Sequence, residues 1–249
     1  MKTLIAAVAV CLAGLSVLAQ SPTEQAEEAL DRYLVLSYLR SPVWMEKYVD
    51  DKVMAGRLQS ESPESYKEHY ANQRELLGRL AAIDRERLAD DLRLSVDLVV
   101  YKLALSLDGE TLKREQMPVT SIGGPQYWLP QLARFSKLQT PRDHDLYIAR
   151  LSDIPRLLEE TTAQMRLGME AGRVPPRVII EPAIRQAQAQ IVSSARLSPF
   201  YEPFRDRPVE DEQAARALTI INTGIIPAYD AFARFLENEY LPACRESFG

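Results

Sequence analysis

The sequence predicts an all-α protein, a bundle of roughly eight helices with long kinked members, folded as one domain in preference to two. Three observations predict this fold class. Apolar residues recur at steps of three and four along most of the chain, as they do on one face of an α-helix. Serine or threonine followed by proline stands at the head of several of these segments, where a capping oxygen and a proline in the first turn favour a helix start. No stretch alternates apolar and polar residues for long enough to build a sheet.

The first residues are predicted to be a secretory signal peptide, residues 1–19, which leaves residues 20–249 as the helical domain. Lys2 supplies the charged start, and the stretch from Leu4 to Leu18 is almost wholly apolar but too short for a membrane span. Ala19 is the small residue that a signal peptidase requires. We therefore expect a periplasmic or secreted protein.

Two cysteines bear on the predicted cellular location. A lipoprotein anchor at Cys11 is the competing interpretation, but Val10 is bulky for the position before a lipidated cysteine and the apolar run continues past Cys11. Removal of the signal peptide would leave Cys244 as the one cysteine, so we expect no intramolecular disulfide. The core alone would then hold the domain together.

Composition and charge narrow the class of function. Of the 249 residues 46% are hydrophobic, which is enough for a large core. A net charge of −5, without a clustered basic excess, argues against a nucleic-acid surface. After the signal peptide no second apolar run is long enough to cross a bilayer.

Three helices are predicted in the first third of the chain. The first runs from Pro22 to about Leu39, with Ser21 and Glu24 in the spacing of a capping box; the second starts at Pro42, and the third starts after Ser62 and has a polar middle. The residues predicted to face inward are Ala26, Leu30, Tyr33, Leu34 and Tyr38, then Trp44, Met45, Tyr48 and Val49, then Tyr66, Tyr70, Leu77 and Leu80.

A fourth helix is predicted between Asp84, its cap, and the pair Asp108-Gly109 at its end. Leu98 and Val100 widen its apolar surface, so we expect it to be deeply buried. The residues of its main face are Leu88, Leu92, Val96, Val99 and Leu103.

Residues 117–125 have no helical period and contain Gly123 and Gly124 next to each other, which predicts a loop with unusual backbone angles. A short helix over residues 126–135 would turn Tyr127, Trp128 and Leu132 inward. A loop beside aromatic residues either lines a binding cleft or is a packed connection, and the packed connection is the more common case.

The longest predicted helix lies between Thr140 and Val174. Thr140 provides the N-cap, Gly172 closes the helix, and Pro155 should bend it or split it into two pieces. The residues of its continuous face are Tyr147, Leu151, Ile154, Leu158, Thr161, Met165 and Met169.

Two further helices complete the prediction. One spans residues 178–197 and the other begins near Val209, with Pro227 producing a kink near Gly224. Residues 198–208 between them form a structured loop whose rings need a place to pack. The inward residues are Ile180, Ile184, Ala187 and Ile191, then the rings of Phe200, Tyr201 and Phe204, then Ala214, Leu218, Ile221, Ile225, Phe232 and Leu236.

The two histidines do not have the sequence spacing that is typical of zinc sites. His69 has no partner histidine four residues away, and His144 stands between Asp143 and Asp145 in the first turn of a helix. Consecutive helical residues point in different directions, so the acidic pair is predicted to favour the helix N-terminus and not to hold a metal. We predict no metal ligand and no catalytic residue in this chain.

Structural roles are predicted for most of the other reactive side chains. Cys244 is predicted to be a small buried residue, and Asp97 is predicted to pair with Arg93 on one helix face. Arg150 and Arg156 would either face a substrate carboxylate or pair with neighbouring helices.

Four stretches of the sequence resemble successive landmarks of the bacterial family called domain of unknown function 885. They are MPVTSIGGP at 117–125, TPRDHDLYIARLSDIP at 140–155, MEAGRVPP at 169–176 and YLPACRESFG at 240–249. The resemblance covers nearly all of the chain after residue 19, although none of the four stretches is a catalytic motif.

The resemblance implies an exported helical protein whose complete form is zinc metallopeptidase-like. In that family the second half carries a histidine–glutamate pair on a helix, followed by a Pro-Gly-His segment, in which histidines hold zinc and a glutamate activates water. Nothing in this chain matches that motif. The resemblance therefore implies a truncated member, the N-terminal half, with zinc expected only in the missing half.

In a complete protein this half would form one wall of a cleft for a peptide-like substrate, and Gly123 and Gly124 are the candidate contacts. Two hypotheses remain: the non-catalytic half of a peptidase-like enzyme, inactive alone, and a free-standing periplasmic binding or interaction module. A reading frame that continues past Gly249 into a histidine–glutamate motif would favour the first, and a true stop codon there would favour the second. Apolar helix faces meant for the missing half should be exposed. The sequence does not determine the oligomeric state.

Overall fold

A computed structural model describes residues 20–45, 56–208 and 210–246, and this part of the chain is helical with no β-strand, which confirms the predicted fold class. The longer helices are α1 (Pro22–Arg40), α2 (Pro63–Ala81), α3 (Asp90–Thr111), α4 (Pro141–Glu170), α5 (Arg177–Gln188), α6 (Glu212–Ile220) and α7 (Ile226–Phe235). Short α-helical segments are Pro42–Met45, Pro125–Trp128, Leu132–Phe135 and Leu241–Ala243. Turns of 3-10 helix are Arg85–Arg87, Arg114–Gln116, Leu129–Gln131, Ala195–Leu197 and Pro199–Phe204, and π turns are Ile221–Ile225 and Leu236–Tyr240.

The predicted starts of α1 and α2 are confirmed. The Ser21 hydroxyl accepts from the amide of Glu24 at 3.2 Å while the Glu24 carboxylate accepts from the amide of Ser21 at 2.8 Å, which is a complete capping box. The Ser62 hydroxyl caps α2 by accepting from the amide of Ser65 at 3.1 Å. The helix predicted from Pro42 begins there, but most of it, including Tyr48 and Val49, lies outside the described residues.

Helix α3 differs from its prediction at both ends and in its burial. Asp84 caps the 3-10 turn Arg85–Arg87 instead of the helix, which begins at Asp90 and continues past Gly109 to Thr111. The predicted deep burial is wrong because α1 and α2 cover only one side of α3. Val96, Val99 and Leu103 are buried there, whereas the opposite side is open and exposes Leu94, Leu98, Tyr101 and Leu105. Leu34 on α1, predicted to face inward, is exposed too.

Helix α4 is the longest element and runs through the centre of the molecule. Its N-terminus has the predicted cap at Thr140, extended to a capping box with Asp143, and Gly172 follows its end with φ +67°. Pro155 does not split it: the helix is continuous, although proline leaves the carbonyl of Leu151 without its usual amide donor. The side chains buried along it include Tyr147, Leu151, Ile154, Leu158, Thr161 and Met165, as predicted.

Helix α5 is shorter than predicted. It ends at Gln188 instead of residue 197, and Ile191, predicted to face inward, is exposed. The segment after it is a 3-10 helix, Pro199–Phe204, that buries Phe200, Tyr201 and Phe204, as predicted for the structured loop. Tyr127 in the short helix before α4 is exposed, contrary to prediction, whereas Leu132 is fully buried.

The C-terminal rod consists of α6, α7 and the two π turns. A π turn at Ile221–Ile225 lies where a kink near Gly224 was predicted. Buried residues follow one another at steps of four here, from Ala217 through Ile221 and Ile225 to Tyr229. In an α-helix each step of four overshoots the buried face by about 40°. A π turn adds one residue to the turn and so returns the face to the core.

The described residues form two apolar cores. The larger core surrounds α4 and is closed by α5, the 3-10 helix Pro199–Phe204 and the C-terminal rod. The smaller core lies among α1, α2 and α3, where Ala29, Leu76, Leu80 and Val96 meet; we call these three helices the N-terminal lobe. None of the helices in the described part of the chain combines the length and apolar character needed to span a bilayer.

Candidate functional site: polar clefts beside the N-terminal lobe

The loop that carries the two predicted contact glycines is tightly ordered. The amide of Thr120 donates to the carbonyl of Gly123 at 3.0 Å, and the side-chain amide of Gln126 donates to the carbonyls of Thr120 and Gly123 at 2.8 and 2.9 Å. Gly124 has φ +100°, and a Cβ there would lie 3.0 Å from the carbonyl oxygen of Pro118, so any other residue would be strained. The loop is therefore a rigid feature.

The two glycines have different surroundings. Gly123 lines an open cleft of about 480 Å³ between this loop, α2 and the end of α3, which we call the loop cleft. Gly124 is not among the residues that line this cleft, and a Cβ built on it would face the carbonyl of Pro118 and the backbone of Val119. Of the two predicted contacts, Gly123 alone lies on the cleft surface.

The wall of the loop cleft contains a buried tyrosine–carboxylate pair. The Tyr70 hydroxyl donates to the Glu115 carboxylate at 3.1 Å, and both residues are buried. Burial, followed by the charge of Glu115, raises the pKa of Tyr70 to about 12. Tyr70 therefore remains a neutral donor at neutral pH, and it fixes the turn Arg114–Gln116 against α2.

One turn earlier on α2, a second polar cluster joins α1 to α2. The Arg40 guanidinium bonds to the Glu61 carboxylate at 3.0 Å and lies 4.2 Å from the centre of the Tyr66 ring, whose hydroxyl also donates to Glu61. Burial raises the pKa of Tyr66 well above its usual range. The cluster holds the Arg40 side chain at the end of the N-terminal lobe.

A second cleft, of about 350 Å³, opens among α1, α2 and α3 next to Arg40; we call it the lobe cleft. Its lining residues are Tyr33, Ser37, Arg40, Ser41, His69, Gln73, Lys102, Leu103 and Ser106. The side-chain amide nitrogen of Gln73 lies 2.8 Å from Nε2 of His69. Burial, together with the charge of Arg40, lowers the pKa of His69 to about 4, so the ring is neutral at neutral pH. Ser106 lines both clefts, so they adjoin at that residue.

His144 and its acidic neighbours do not form a metal site in the described structure. Nδ1 of His144 lies 2.9 Å from the carbonyl of Thr140, and the ring packs edge-on against Phe204. Asp143 caps the helix, whereas Asp145 bonds to Arg216 at 3.0 Å. The three side chains point in three directions, and no group of three potential ligands occurs among the described residues.

The predicted pair of Asp97 and Arg93 is wrong. Asp97 bonds to Arg85 at 2.8 Å and Arg93 bonds to Asp90 at 2.6 Å, because the 3-10 turn before α3 brings Arg85 within reach of Asp97. Cys244 is buried, as predicted, and burial raises the pKa of its thiol to about 11.

Arg150 and Arg156, the two arginines of α4 that were candidates for a substrate carboxylate, differ in their surroundings. Arg156 bonds to Asp153 at 2.7 Å and to Glu160 at 2.8 Å, and its pKa is raised by these partners. It also donates to the carbonyl of Leu58, so it ties α4 to the segment before α2. Arg150 is buried and donates to the Ser136 hydroxyl at 3.3 Å.

Sequence reasoning missed His69 and Gln73 as site residues, although their signal was present. The polar middle of α2 interrupts an apolar face, and a helix interrupts its buried face with polar groups where those groups have partners or a ligand. His69 and Gln73 contact each other, and most of the other residues that line the lobe cleft come from α1 and α3, which are distant in sequence.

Comparisons with known proteins show a family and a shared fold. The family described as "Bacterial protein of unknown function (DUF885)" matches residues 42–249. The crystal structure of the "putative lipoprotein from Colwellia psychrerythraea" superposes with a TM-score of 0.73 at 18% identity, over 90% of this chain and 42% of that one. At this identity the likeness shows the fold alone, and the chain spans less than half the length of that protein. No curated protein matches the sequence.

Proposed function

The chain belongs to the bacterial family of unknown function DUF885, and we propose that it is the non-catalytic N-terminal half of an exported, zinc metallopeptidase-like protein of that family. In this proposal the described helices form one wall of a cleft for a peptide-like substrate, and Gly123 contacts the substrate. Zinc would be bound by a further half of the protein. Alone, the chain would be inactive.

The observation that supports this proposal is the uncovered side of α3. Leu94, Leu98, Tyr101 and Leu105 stand at steps of four, three and four and are 60%, 52%, 66% and 52% exposed. This spacing is that of a coiled-coil seam, directed away from Val96 and Leu103 in the smaller core. Soluble proteins rarely leave such a row of large apolar side chains open, so a further helix is the expected cover.

The greater length of the structural neighbour suggests where a covering helix would come from. The chain corresponds to 42% of the neighbour, so the larger part of that protein lies beyond the shared fold. We call the exposed row of Leu94, Leu98, Tyr101 and Leu105 the α3 seam. We propose that helices of a further half pack on it. In their absence the seam would drive association between copies of this chain.

The test combines zinc analysis with the oligomeric state of the purified protein. We expect a helical circular dichroism spectrum, no stoichiometric zinc and concentration-dependent self-association by light scattering after size exclusion. Leu98→Asp on the α3 seam should reduce the association, whereas Leu197→Asp, an equally large change at a residue 64% exposed elsewhere, should not.

Two outcomes would contradict the proposal. One zinc per monomeric chain would place the metal site in this half and would make His69, His144 and their acidic neighbours the ligands to mutate. A monomer at every concentration, unaffected by Leu98→Asp, would favour a free-standing binding module instead.

A further inference from the structure

The N-terminal lobe changes character along its length. Around Ala29, Leu76 and Leu80 its interior is apolar, as expected for a three-helix bundle. At the other end the helices direct serine, histidine, glutamine, lysine and arginine side chains into the lobe cleft. Gln73 is the buried polar residue among them, and a polar group next to an apolar core needs a hydrogen-bond partner.

Gln73 carries the strongest sign of a ligand. Its side chain is only 7% exposed, and Oε1 accepts no hydrogen bond from any residue in the described ranges. Its Nε2 is already engaged by the ring of His69 at 2.8 Å. A buried amide oxygen without a donor is costly, and a ligand that enters the cleft with a hydrogen-bond donor would remove the cost.

The charges of the lobe cleft determine the charge of that ligand. Arg40 and Lys102 line it, and no carboxylate is among its lining residues. Arg40 is balanced by Glu61 at 3.0 Å, whereas Lys102 forms no ion pair with any carboxylate in the described part of the chain. The cleft therefore carries an excess of positive charge, which favours an anion.

We propose that the lobe cleft binds a carboxylate next to a secondary amide, the chemistry of the C-terminal residue of a peptide or of an N-acyl amino acid. Lys102 attracts the carboxylate, the hydroxyls of Ser37 and Ser106 donate to it, and the Gln73 amide pairs with the ligand amide. An amide has both a donor and an acceptor, so it satisfies Gln73 in either orientation. A free amino acid fits poorly because its ammonium group would face Lys102 and Arg40.

This assignment does not depend on the proposed catalytic half, because the residues proposed to contact the ligand belong to α1, α2 and α3. A failure of the zinc or association experiment would leave it intact. A failure here would equally leave the proposed role of the α3 seam intact.

The test is calorimetric titration of the purified protein with N-acetyl-L-alanine. We expect saturable binding at millimolar concentrations, and binding roughly tenfold or more weaker for N-acetyl-L-alaninamide, which lacks the carboxylate, and for free L-alanine. Lys102→Met and Gln73→Leu should each weaken binding by a similar factor. Lys67→Met is the matched control, because Lys67 is an exposed lysine of the same lobe that does not line the cleft, and it should bind like the unaltered protein.

Three results would overturn the proposal: no saturable binding of N-acetyl-L-alanine, equal binding of the acid and its amide, or equal losses in the Lys102 and Lys67 variants. Circular dichroism of each variant separates a loss of binding from a loss of fold. An N-acetylated tripeptide distinguishes the two sources of the ligand. Tighter binding of the tripeptide indicates a peptide C-terminus, and equal binding indicates a small N-acyl amino acid.

Discussion

At the scale of single residues, His69 illustrates how a neighbouring charge and burial together set a protonation state. The ring is partly buried between α1 and α2, next to the guanidinium of Arg40, and both burial and that positive charge disfavour the imidazolium. A neutral ring has one nitrogen that can accept a hydrogen bond, and Nε2 of His69 lies 2.8 Å from the side-chain nitrogen of Gln73. The lobe cleft therefore contains a histidine that stays neutral near neutral pH.

This shift predicts how the stability of the protein depends on pH. The pKa of His69 is lowered to about 4 in the folded protein from an ordinary value of 6.5, so between these two values the unfolded chain binds the extra proton. His69 therefore leaves the free energy of unfolding at its highest above pH 6.5 and lowers it as the pH falls toward 4. Denaturant unfolding at a series of pH values should show this slope, and His69→Gln should flatten it. Equal slopes in the two proteins would contradict the prediction.

The residues also show what the sequence could and could not reveal. The caps at Ser21, Ser62 and Thr140 were predictable because each bonds to an amide only three residues away. The partner of Asp97 was not predictable, because Arg85 lies twelve positions earlier across a 3-10 turn. Likewise, Gln73 meets the residues of the lobe cleft from three helices, and no local pattern states how helices are arranged around one another.

At the scale of elements, the contact between α4 and the turn Arg114–Gln116 is set by one glycine. Gly168 lies within α4, and a Cβ at this position would stand 2.6 Å from the carbonyl oxygen of Gln116 and 3.0 Å from that of Arg173. Both atoms are backbone and cannot move aside as a side chain does. The absence of a side chain thus allows the helix to approach the turn that carries Glu115.

Gly168→Ala should therefore destabilise the protein despite the higher helix propensity of alanine. We expect a loss of about 1–3 kcal/mol in the free energy of unfolding, measured by urea denaturation, since overpacking against backbone outweighs the propensity gain. Gly78→Ala is the matched control: Gly78 lies inside α2 with nothing within 4 Å of a built Cβ. That variant should gain up to about 1 kcal/mol. A gain in both variants would show that α4 and the turn are not in close contact.

The element boundaries that prediction missed have a common physical cause. Helix α5 stops at Gln188 and α3 continues past Gly109 to Thr111, although the local signals favoured a later end for the first and an earlier end for the second. In both cases the outcome depends on what covers the helix: Arg114 packs over Gly109, and Ile191 has no such cover. Propensity is weaker than these tertiary contacts.

At the scale of the whole molecule, the two cores differ in size, and this difference predicts how the protein opens. The larger core surrounds α4, whereas the N-terminal lobe has a small core and one side of α3 uncovered. Regions with fewer buried apolar contacts open at lower free energy. We therefore expect the N-terminal lobe to open before the rest of the protein.

Two matched substitutions, each of a buried leucine by alanine, test this order of opening. Leu80 in the lobe and Leu151 in α4 are both fully buried, and replacing either by alanine should cost about 2–5 kcal/mol locally. Hydrogen exchange followed by mass spectrometry should show faster exchange confined to α1, α2 and α3 for Leu80→Ala. Leu151→Ala should accelerate exchange in α4 and its neighbours. Uniform acceleration of all helices by Leu80→Ala would mean that the protein opens as one unit.

The position of Cys244 gives the molecule an internal reporter of motion at its C-terminal end. The thiol donates to the carbonyl of Tyr240 at 3.3 Å, is 7% exposed, and stays protonated up to strongly alkaline pH because of burial. The amide of Arg177 donates to the carbonyl of Arg245 at 2.9 Å, and the amide of Arg245 donates to the carbonyl of Pro175 at 3.1 Å. We expect the thiol to become more accessible when this pairing separates. Alkylation requires a thiolate in contact with the reagent. The rate of alkylation of the Cys244 thiol should therefore report how often the last turn separates from α5.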